Sequence, residues 1–152
     1  MGLGLFDTFV EQGLAKIDQI LIHGGFTSIT GSLLQQLYEH HQLELGSATP
    51  FLFLPYDKLH QLTTHTWWIE IWEFVQSYRI RLHNDELLLP PLQRIGDKSL
   101  MDLVLKYDNI PFRDIQAFNR VRCHLQVMFL SDVTTADGRA ISHRYVLGCN
   151  EI

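Results

Sequence analysis

Eight histidines and two cysteines are the residues of this 152-residue chain with the chemistry to bind a transition metal. The closest approaches to ligand spacing are the adjacent His40 and His41, and the pair His60 and His65. Adjacent residues on a helix do not share a face, and the second pair has no third ligand nearby. One further group also matches no zinc spacing: Cys123, His124, His143 and Cys149. We therefore predict no metal site and interpret these histidines as core or surface residues.

Catalytic side chains are equally hard to place. Asp132 and Asp137 lack the oxygen spacing of a calcium loop, and the pattern instead predicts a turn in which aspartate accepts from nearby amides. Ser131 or Ser142 near His143 lacks the Gly-x-Ser-x-Gly elbow that exposes a nucleophile. Phosphate-binding glycine loops are absent from the sequence as well. The sequence predicts no catalytic residue and no cofactor, with a cryptic metal-dependent hydrolase as the remaining enzymatic alternative.

Basic side chains are concentrated in the second half of the chain. The net charge is −5, and residues 1–76 carry two basic and eight acidic side chains, against ten and nine in residues 77–152. A polyanion such as RNA or DNA would be repelled by the first half. An ordinary solvated surface is the alternative, because exposed arginines are common. The predicted nucleic-acid contacts, which would bind weakly, are Arg113, Arg120, Arg122, Arg139 and Arg144.

All three tryptophans lie in one stretch, residues 63–82. Trp68 and Trp72 recur at helical spacing with other apolar residues, so the pattern predicts a helix that is buried on most sides and capped by Thr64 or Thr66. The alternative is an exposed platform on which nucleic-acid bases stack. Such platforms usually lie among basic residues, so we interpret the tryptophans as core.

Four other amphipathic patterns complete a mainly helical fold class. The predicted helices are Leu5–Ile22, Thr30–Leu43, residues 63–82, Asp97–Tyr107 with Asp97 as cap, and a long helix from Pro111 to near Ser131. The predicted inner face of the first helix consists of Phe6, Val10, Leu14, Ile17 and Leu21. That of the last helix consists of Ile115, Phe118, Val121, Leu125, Met128 and Phe129. Extended proline-rich connections are predicted at Pro50–Pro55 and Leu87–Leu92. The result is one domain, residues 1–152, a compact bundle of about five helices.

The cysteine content and the lengths of the apolar runs indicate the cellular compartment. Two cysteines give no disulfide framework, and the apolar surroundings of Cys123 predict a buried thiol. No apolar run reaches about 20 residues, and the first residues lack the basic start of a signal peptide. We expect an intracellular protein, cytoplasmic or nuclear, without a membrane partner.

Five blocks in a fixed order resemble a known family. They are LIHGG, ITGSLLQQLYEHHQLELG, HQLTTHTWWIEIWEF, LQRIGDKSLMDLVL and FNRVRCHLQVMFLSDVTTADGR. This series resembles a segment of retrotransposon-encoded, reverse-transcriptase-containing polyproteins of microbial eukaryotes such as diatoms. The resemblance covers residues 21–139 and lies outside the polymerase catalytic core.

The resemblance implies that the chain derives from a retroelement polyprotein, but it implies no catalytic activity. The polymerase and RNase H carboxylate motifs of such polyproteins have no matching positions here, so no catalytic role is carried over. The expected function is a non-catalytic accessory region that scaffolds neighbouring domains and helps to hold nucleic acid. The chain would be a fragment or a degenerate copy of a longer polyprotein, with the tail 140–152 outside the match. The alternative from another class is a cellular helical protein-interaction module with no nucleic-acid role.

Overall fold

The structure, a computed structural model, describes residues 7–24, 28–82 and 95–146. The predicted mainly helical fold is confirmed, and within these ranges β-pairing is limited to isolated bridges from Ser99 to Phe129 and from Thr134 to Ile141. The α-helices are α1 Thr8–His23, α2 Ile29–Leu45, α3 Tyr56–Leu59, α4 Trp67–Ser77, α5 Leu100–Leu105, α6 Phe112–Leu125, α7 Leu130–Val133 and α8 His143–Val146. None of the helices in the described ranges is long and apolar enough to cross a membrane.

Contacts group the chain into two compact units. The first comprises Met1–Gln42 with Thr49–Leu89, and the second comprises Leu43–Ala48 with Pro90–Ile152. The first unit carries four basic and nine acidic residues, whereas the second carries eight of each. The single domain expected from chain length stays a prediction.

Helix α1 buries a face that shares Ile17 with the predicted one but is otherwise different. Asp7 caps its N-terminus by accepting from the Phe9 amide at 3.0 Å. The buried residues are Gly13, Ile17 and Ile20, whereas the predicted inner residue Leu21 is 70% exposed. The reason is close packing on α4, because a Cβ at Gly13 would lie 2.4 Å from the ring of Phe74. The missing side chain lets the two helices approach, a signal that a count of apolar residues overlooks.

Helix α4 forms the core of the first unit, as predicted. Its buried side chains are Trp68, Ile69, Ile71, Trp72, Phe74 and Val75. The Trp68 indole donates to the Leu34 carbonyl at 2.9 Å, and the Trp72 indole donates to the Leu54 carbonyl at 2.9 Å. Each buried N–H therefore has its acceptor, which burial of an indole requires.

The connection Pro50–Pro55 is not extended, so that prediction is wrong. Phe51–Phe53 forms a 3₁₀ turn in which the Phe53 amide donates to the Pro50 carbonyl at 3.0 Å. The side chain of Gln42 stabilises it, accepting from the Phe51 amide at 2.9 Å and donating to the Thr49 carbonyl at 2.8 Å. The other predicted connection, Leu87–Leu92, lies outside the described residues.

In the second unit, the cap of the short helix α5 differs from the predicted one. Ser99 is the cap, and its Oγ accepts from the Asp102 amide at 2.9 Å. Asp97 instead accepts from the backbone amide of Ser131 at 3.2 Å and from its hydroxyl.

The long helix α6 ends at Leu125, six residues before the predicted end. Gln126 adopts a left-handed conformation, φ 57°, and the Val127 amide donates to the Arg122 carbonyl at 3.2 Å. This is the helix-ending geometry in which glycine is usual. Because glutamine stands there, no glycine marks the end of the helix in the sequence. The buried Met128 and Phe129 belong to the connection that follows and not to the helix.

Gly13→Ala is expected to lower the free energy of unfolding by about 1–3 kcal/mol, the range for overpacking a core. This loss would occur although alanine favours a helix over glycine by about 1 kcal/mol. Urea unfolding followed by circular dichroism measures it. In a Phe74→Leu background the same substitution should cost less, because the smaller side chain makes room. A Gly13→Ala variant more stable than wild type would contradict the packing described.

Candidate functional site

Four of the five arginines predicted to contact nucleic acid are exposed. Arg113 and Arg120 lie on α6, Arg139 follows the turn at Asp137, and Arg144 lies on α8. The Arg113 side chain is 91% exposed, and its Nε lies 3.9 Å from a carboxylate oxygen of Asp114. An exposed pair of that length contributes little, which leaves the cation available to a partner.

Helix α6 places two of these arginines on one face. Arg113 and Arg120 are seven residues apart, which is almost two full turns and about 10 Å along the axis. His124, one turn beyond Arg120, is also exposed on that side. We call these three residues the basic strip.

Arg122 does not belong to that surface. It is 4% exposed, on the face of α6 that also buries Ile115 and Asn119. Its Nη1 donates to the Val127 carbonyl at 3.1 Å. Its Nη2 lies 2.8 Å from the Leu43 carbonyl. The predicted phosphate contact at Arg122 is therefore corrected to an internal one, because its guanidinium is held inside the unit.

Asn119 completes this buried cluster. Its Oδ1 accepts from Arg122 Nε at 3.0 Å and Nη2 at 2.7 Å, and its Nδ2 donates to the Glu44 carbonyl at 2.9 Å. Burial lowers the pKa of the Arg122 guanidinium, whereas the neighbouring Cys123 and Glu44 act in the opposite direction. Gly46 is required here, since it has φ 71° and a Cβ would lie 2.5 Å from the Arg122 Cζ. The cluster orders this part of the second unit.

The predicted inner stripe of α6 is right at Ile115 but wrong at three other positions, for the same reason. Phe118, Val121 and Leu125 are 37%, 58% and 43% exposed, while polar Asn119 and Arg122 are buried. By hydropathy, asparagine and arginine are expected to be exposed to solvent. Here both are buried because backbone carbonyl oxygens accept their hydrogen bonds. The spacing of residues 115, 119 and 122 was the available signal, and it pointed to a face that mixes apolar and polar side chains.

Several carboxylates of the second unit are also held internally. Asp102 accepts from the Ser47 hydroxyl at 2.6 Å and the Ala48 amide at 2.9 Å. Asp132 accepts from the amides of Met128 and Phe129, both at 2.8 Å. The turn predicted around Asp137 is present.

At that turn, Asp137 accepts from the Arg139 amide at 3.1 Å. Hydrogen bonds from the Thr135 hydroxyl and the Arg139 amide lower the pKa of the Asp137 carboxyl. These aspartates stabilise turns and helix ends, which is the role predicted for Asp132 and Asp137.

Sequence reasoning missed the environment of His41. This side chain is fully buried in the first unit. Its Nδ1 lies 2.8 Å from the Thr63 hydroxyl, and its Nε2 contacts the hydroxyl of Thr66, the cap residue of α4. Burial, with a smaller effect of His40, lowers its pKa to about 4. A neutral imidazole with one donor and one acceptor nitrogen suits two hydroxyl partners.

Other candidate ligands are dispersed. Among the described residues, histidine, cysteine, aspartate and glutamate form no group of three that could hold a metal ion. The predicted burial of the Cys123 thiol is wrong, because Cys123 is exposed, with Sγ 3.2 Å from Arg122 Nη2. It lies next to the buried face of α6 and not on it.

Comparison of the chain with known protein families, curated proteins and solved structures finds no match. The resemblance to retroelement segments therefore stays an expectation from sequence.

Arg122→Lys should lower the free energy of unfolding by about 2–4 kcal/mol. One ammonium keeps the charge but cannot reach all the acceptors that the planar guanidinium bonds, and each buried acceptor left unpaired costs about 1–3 kcal/mol. Chemical denaturation measures the loss. The matched control is Arg120→Lys on the exposed face, which should stay within about 0.5 kcal/mol of wild type. Equal effects of the two substitutions would contradict the assignment of Arg122 to the interior of the unit.

His41 should make the first unit acid-sensitive. Its folded pKa is below the ordinary 6.5, so the folded state binds fewer protons than the unfolded chain. The stabilisation is complete above pH 6.5 and is lost as pH falls towards 4. The whole loss is about 3 kcal/mol, from about 1.4 kcal/mol per pKa unit. Denaturation at a series of pH values measures it.

The control for this pH dependence uses two glutamine substitutions. His41→Gln should flatten the decline between pH 6.5 and 4 relative to wild type, whereas His124→Gln at an exposed position should leave it unchanged. A wild-type decline that survives His41→Gln would show that other groups cause it.

Proposed function

We propose that this chain is a non-catalytic accessory region of a retroelement reverse-transcriptase polyprotein, which scaffolds neighbouring domains and binds RNA or DNA weakly through its second unit. The observation that carries the nucleic-acid part is the basic strip, where Arg113 and Arg120 project from one face of α6. The retroelement context rests on the order of the resembling sequence blocks.

Internal bonding of the polar residues supports a non-catalytic role. His41 lies between two threonine hydroxyls, Arg122 is bonded to carbonyls, and Asp102 and Asp132 accept from nearby donors. In each case the hydrogen bonds are those of a helix end, a turn or a packed core. These side chains order the fold, and their chemistry is directed inward.

Charge supports weak binding by the second unit in particular. That unit has as many basic as acidic residues, whereas the first has an excess of five acidic ones. Arg113, Arg120, Arg139 and Arg144 are exposed, while Asp97, Asp102 and Asp132 are partly buried and hydrogen-bonded. The attraction to phosphate is local, so affinity should be low and strongly dependent on salt.

The competing function is a helical protein-interaction module. It is favoured by exposed apolar side chains on α1 and α2 in the first unit. They are Leu14, Leu21, Ile22, Ile29 and Leu33. Exposed apolar groups of this kind mark interaction surfaces when they are contiguous.

Salt dependence of binding tests the nucleic-acid proposal. Contact of the four exposed arginines with about four phosphates gives a log–log slope near −3.6 on duplex DNA, from about 0.9 per phosphate. Arg120→Ala should flatten that slope by about one unit, since it removes one contact. Filter binding from low to moderate salt measures it.

The matched control is Lys58→Ala, which removes one exposed positive charge from the first unit. It should leave the slope unchanged. Absence of binding at micromolar protein and low salt, or equal effects of both substitutions, would contradict the proposal and favour the interaction module.

A further inference from the structure

A cleft lies at the C-terminal end of α4 in the first unit. Its volume is about 500 Å³, which is within the range of small-molecule pockets, roughly 300–1,000 Å³. Its lining combines four apolar side chains, one amide and two cations. They are Phe53, Val75, Ile80, Leu82, Gln76, Arg79 and Arg81. We call this the α4 cleft.

Hydrogen bonds order the wall of the α4 cleft. The Ile80 amide donates to the Val75 carbonyl at 2.9 Å, and the Arg79 amide donates to the Gln76 carbonyl at 3.4 Å. The Gln76 side chain donates to the Leu52 carbonyl at 3.0 Å. The helix end, the residues after it and the 3₁₀ turn are thereby connected, so these lining residues are positioned by backbone groups.

The backbone at Arg79 is unusual. It has φ 53°, the left-handed conformation at the position after a helix where glycine is the common residue. A side chain there strains the backbone, and strain of this kind concentrates at functional sites. A glycine would end the helix with less strain but would carry no charge. Arginine at this position keeps beside the cleft a positive charge that glycine would not supply.

The charge of the α4 cleft is not neutralised from within the described part of the chain. Arg79 and Arg81 are both exposed, and neither forms an ion pair with a described carboxylate. They are two of only four basic residues in a unit with nine acidic ones. Beside them, the ring of Phe53 is 43% exposed. Two cations next to an exposed apolar wall complement an amphipathic anion.

We propose that the α4 cleft binds a small amphipathic anion, with a carboxylate or phosphate head at Arg79 and Arg81 and an apolar tail along Phe53 and Ile80. This ligand site is in the first unit, whereas the proposed nucleic-acid contacts are in the second. Its failure and the failure of nucleic-acid binding are therefore separate outcomes.

Calorimetric titration of the full chain tests the site with four octyl probes and two headgroup controls. Octanoate and octyl phosphate should bind, and the tighter of the two identifies the preferred head. Octylammonium, octanol, acetate and inorganic phosphate should bind at least tenfold more weakly, since each lacks the anionic head or the tail.

Arg79→Gly is the decisive variant. It should weaken binding of the preferred octyl anion at least tenfold, while its melting temperature stays at or above that of wild type because glycine relieves the backbone strain. Arg81→Ala should weaken binding as well. Gln126→Gly is the matched control. It relieves the same kind of backbone strain at the left-handed residue that ends α6, and it should leave binding unchanged.

Three results would overturn the proposal. Unchanged affinity in Arg79→Gly would show that the arginines only complement the helix dipole. Equal binding of octylammonium and octanoate would show apolar adhesion without recognition of charge. Binding that occurs only after Asp85→Asn and Glu86→Gln would assign the two cations to the chain's own acidic residues.

Discussion

The first unit depends on satisfying the indole N–H groups that its core buries. Trp68 and Trp72 are almost completely inaccessible, and a buried indole N–H without an acceptor would cost about 1–3 kcal/mol of stability. Their acceptors are the backbone carbonyls of Leu34 and Leu54, one in α2 and one after the 3₁₀ turn. These two bonds fix how α4 lies against both neighbours. Around that arrangement, the ring of Phe51 packs edge-on to Trp72, with centroids 5.6 Å apart, and Gly13 admits Phe74.

The second unit meets the same constraint with a cation. Arg122 is buried, and its charge lies among carbonyl oxygens, whose negative dipole ends stabilise a guanidinium. Gly46 makes room for that group, and Asn119 orients it. In both units, polar side chains that could act in binding or catalysis instead stabilise the helical fold. The proposed binding functions therefore rest on side chains that remain at the surface, namely the basic strip and the arginines of the α4 cleft.

The sequence predicted where helices form better than which face they bury. Periodicity located α1, α2 and α4, because repeated apolar residues define a helix whichever way it turns. The predicted inner faces of α1 and α6 were right at Ile17 and Ile115 but wrong at other positions, because a glycine contact and a bonded arginine contribute nothing to an apolar stripe. The end of α6 at Gln126 was missed because glycine normally marks that geometry. Four of the five candidate arginines proved exposed. The burial of Arg122 could not be predicted, because it depends on where backbone carbonyls lie in the fold, and no local sequence pattern contains that information. The α4 cleft joins residues of the 3₁₀ turn to the end of α4, so only the fold shows it.

Hydrogen exchange of the three indole N–H groups, followed by nuclear magnetic resonance, tests most directly whether the tryptophans belong to a packed core. The account predicts that the Trp68 and Trp72 indole hydrogens exchange as slowly as the core amides of α4, with or without a single-stranded oligonucleotide. Trp67 is only half-buried and should exchange faster. Rapid exchange at Trp68 and Trp72, or slowing only when the oligonucleotide is added, would contradict the account and make the tryptophans a base-stacking surface.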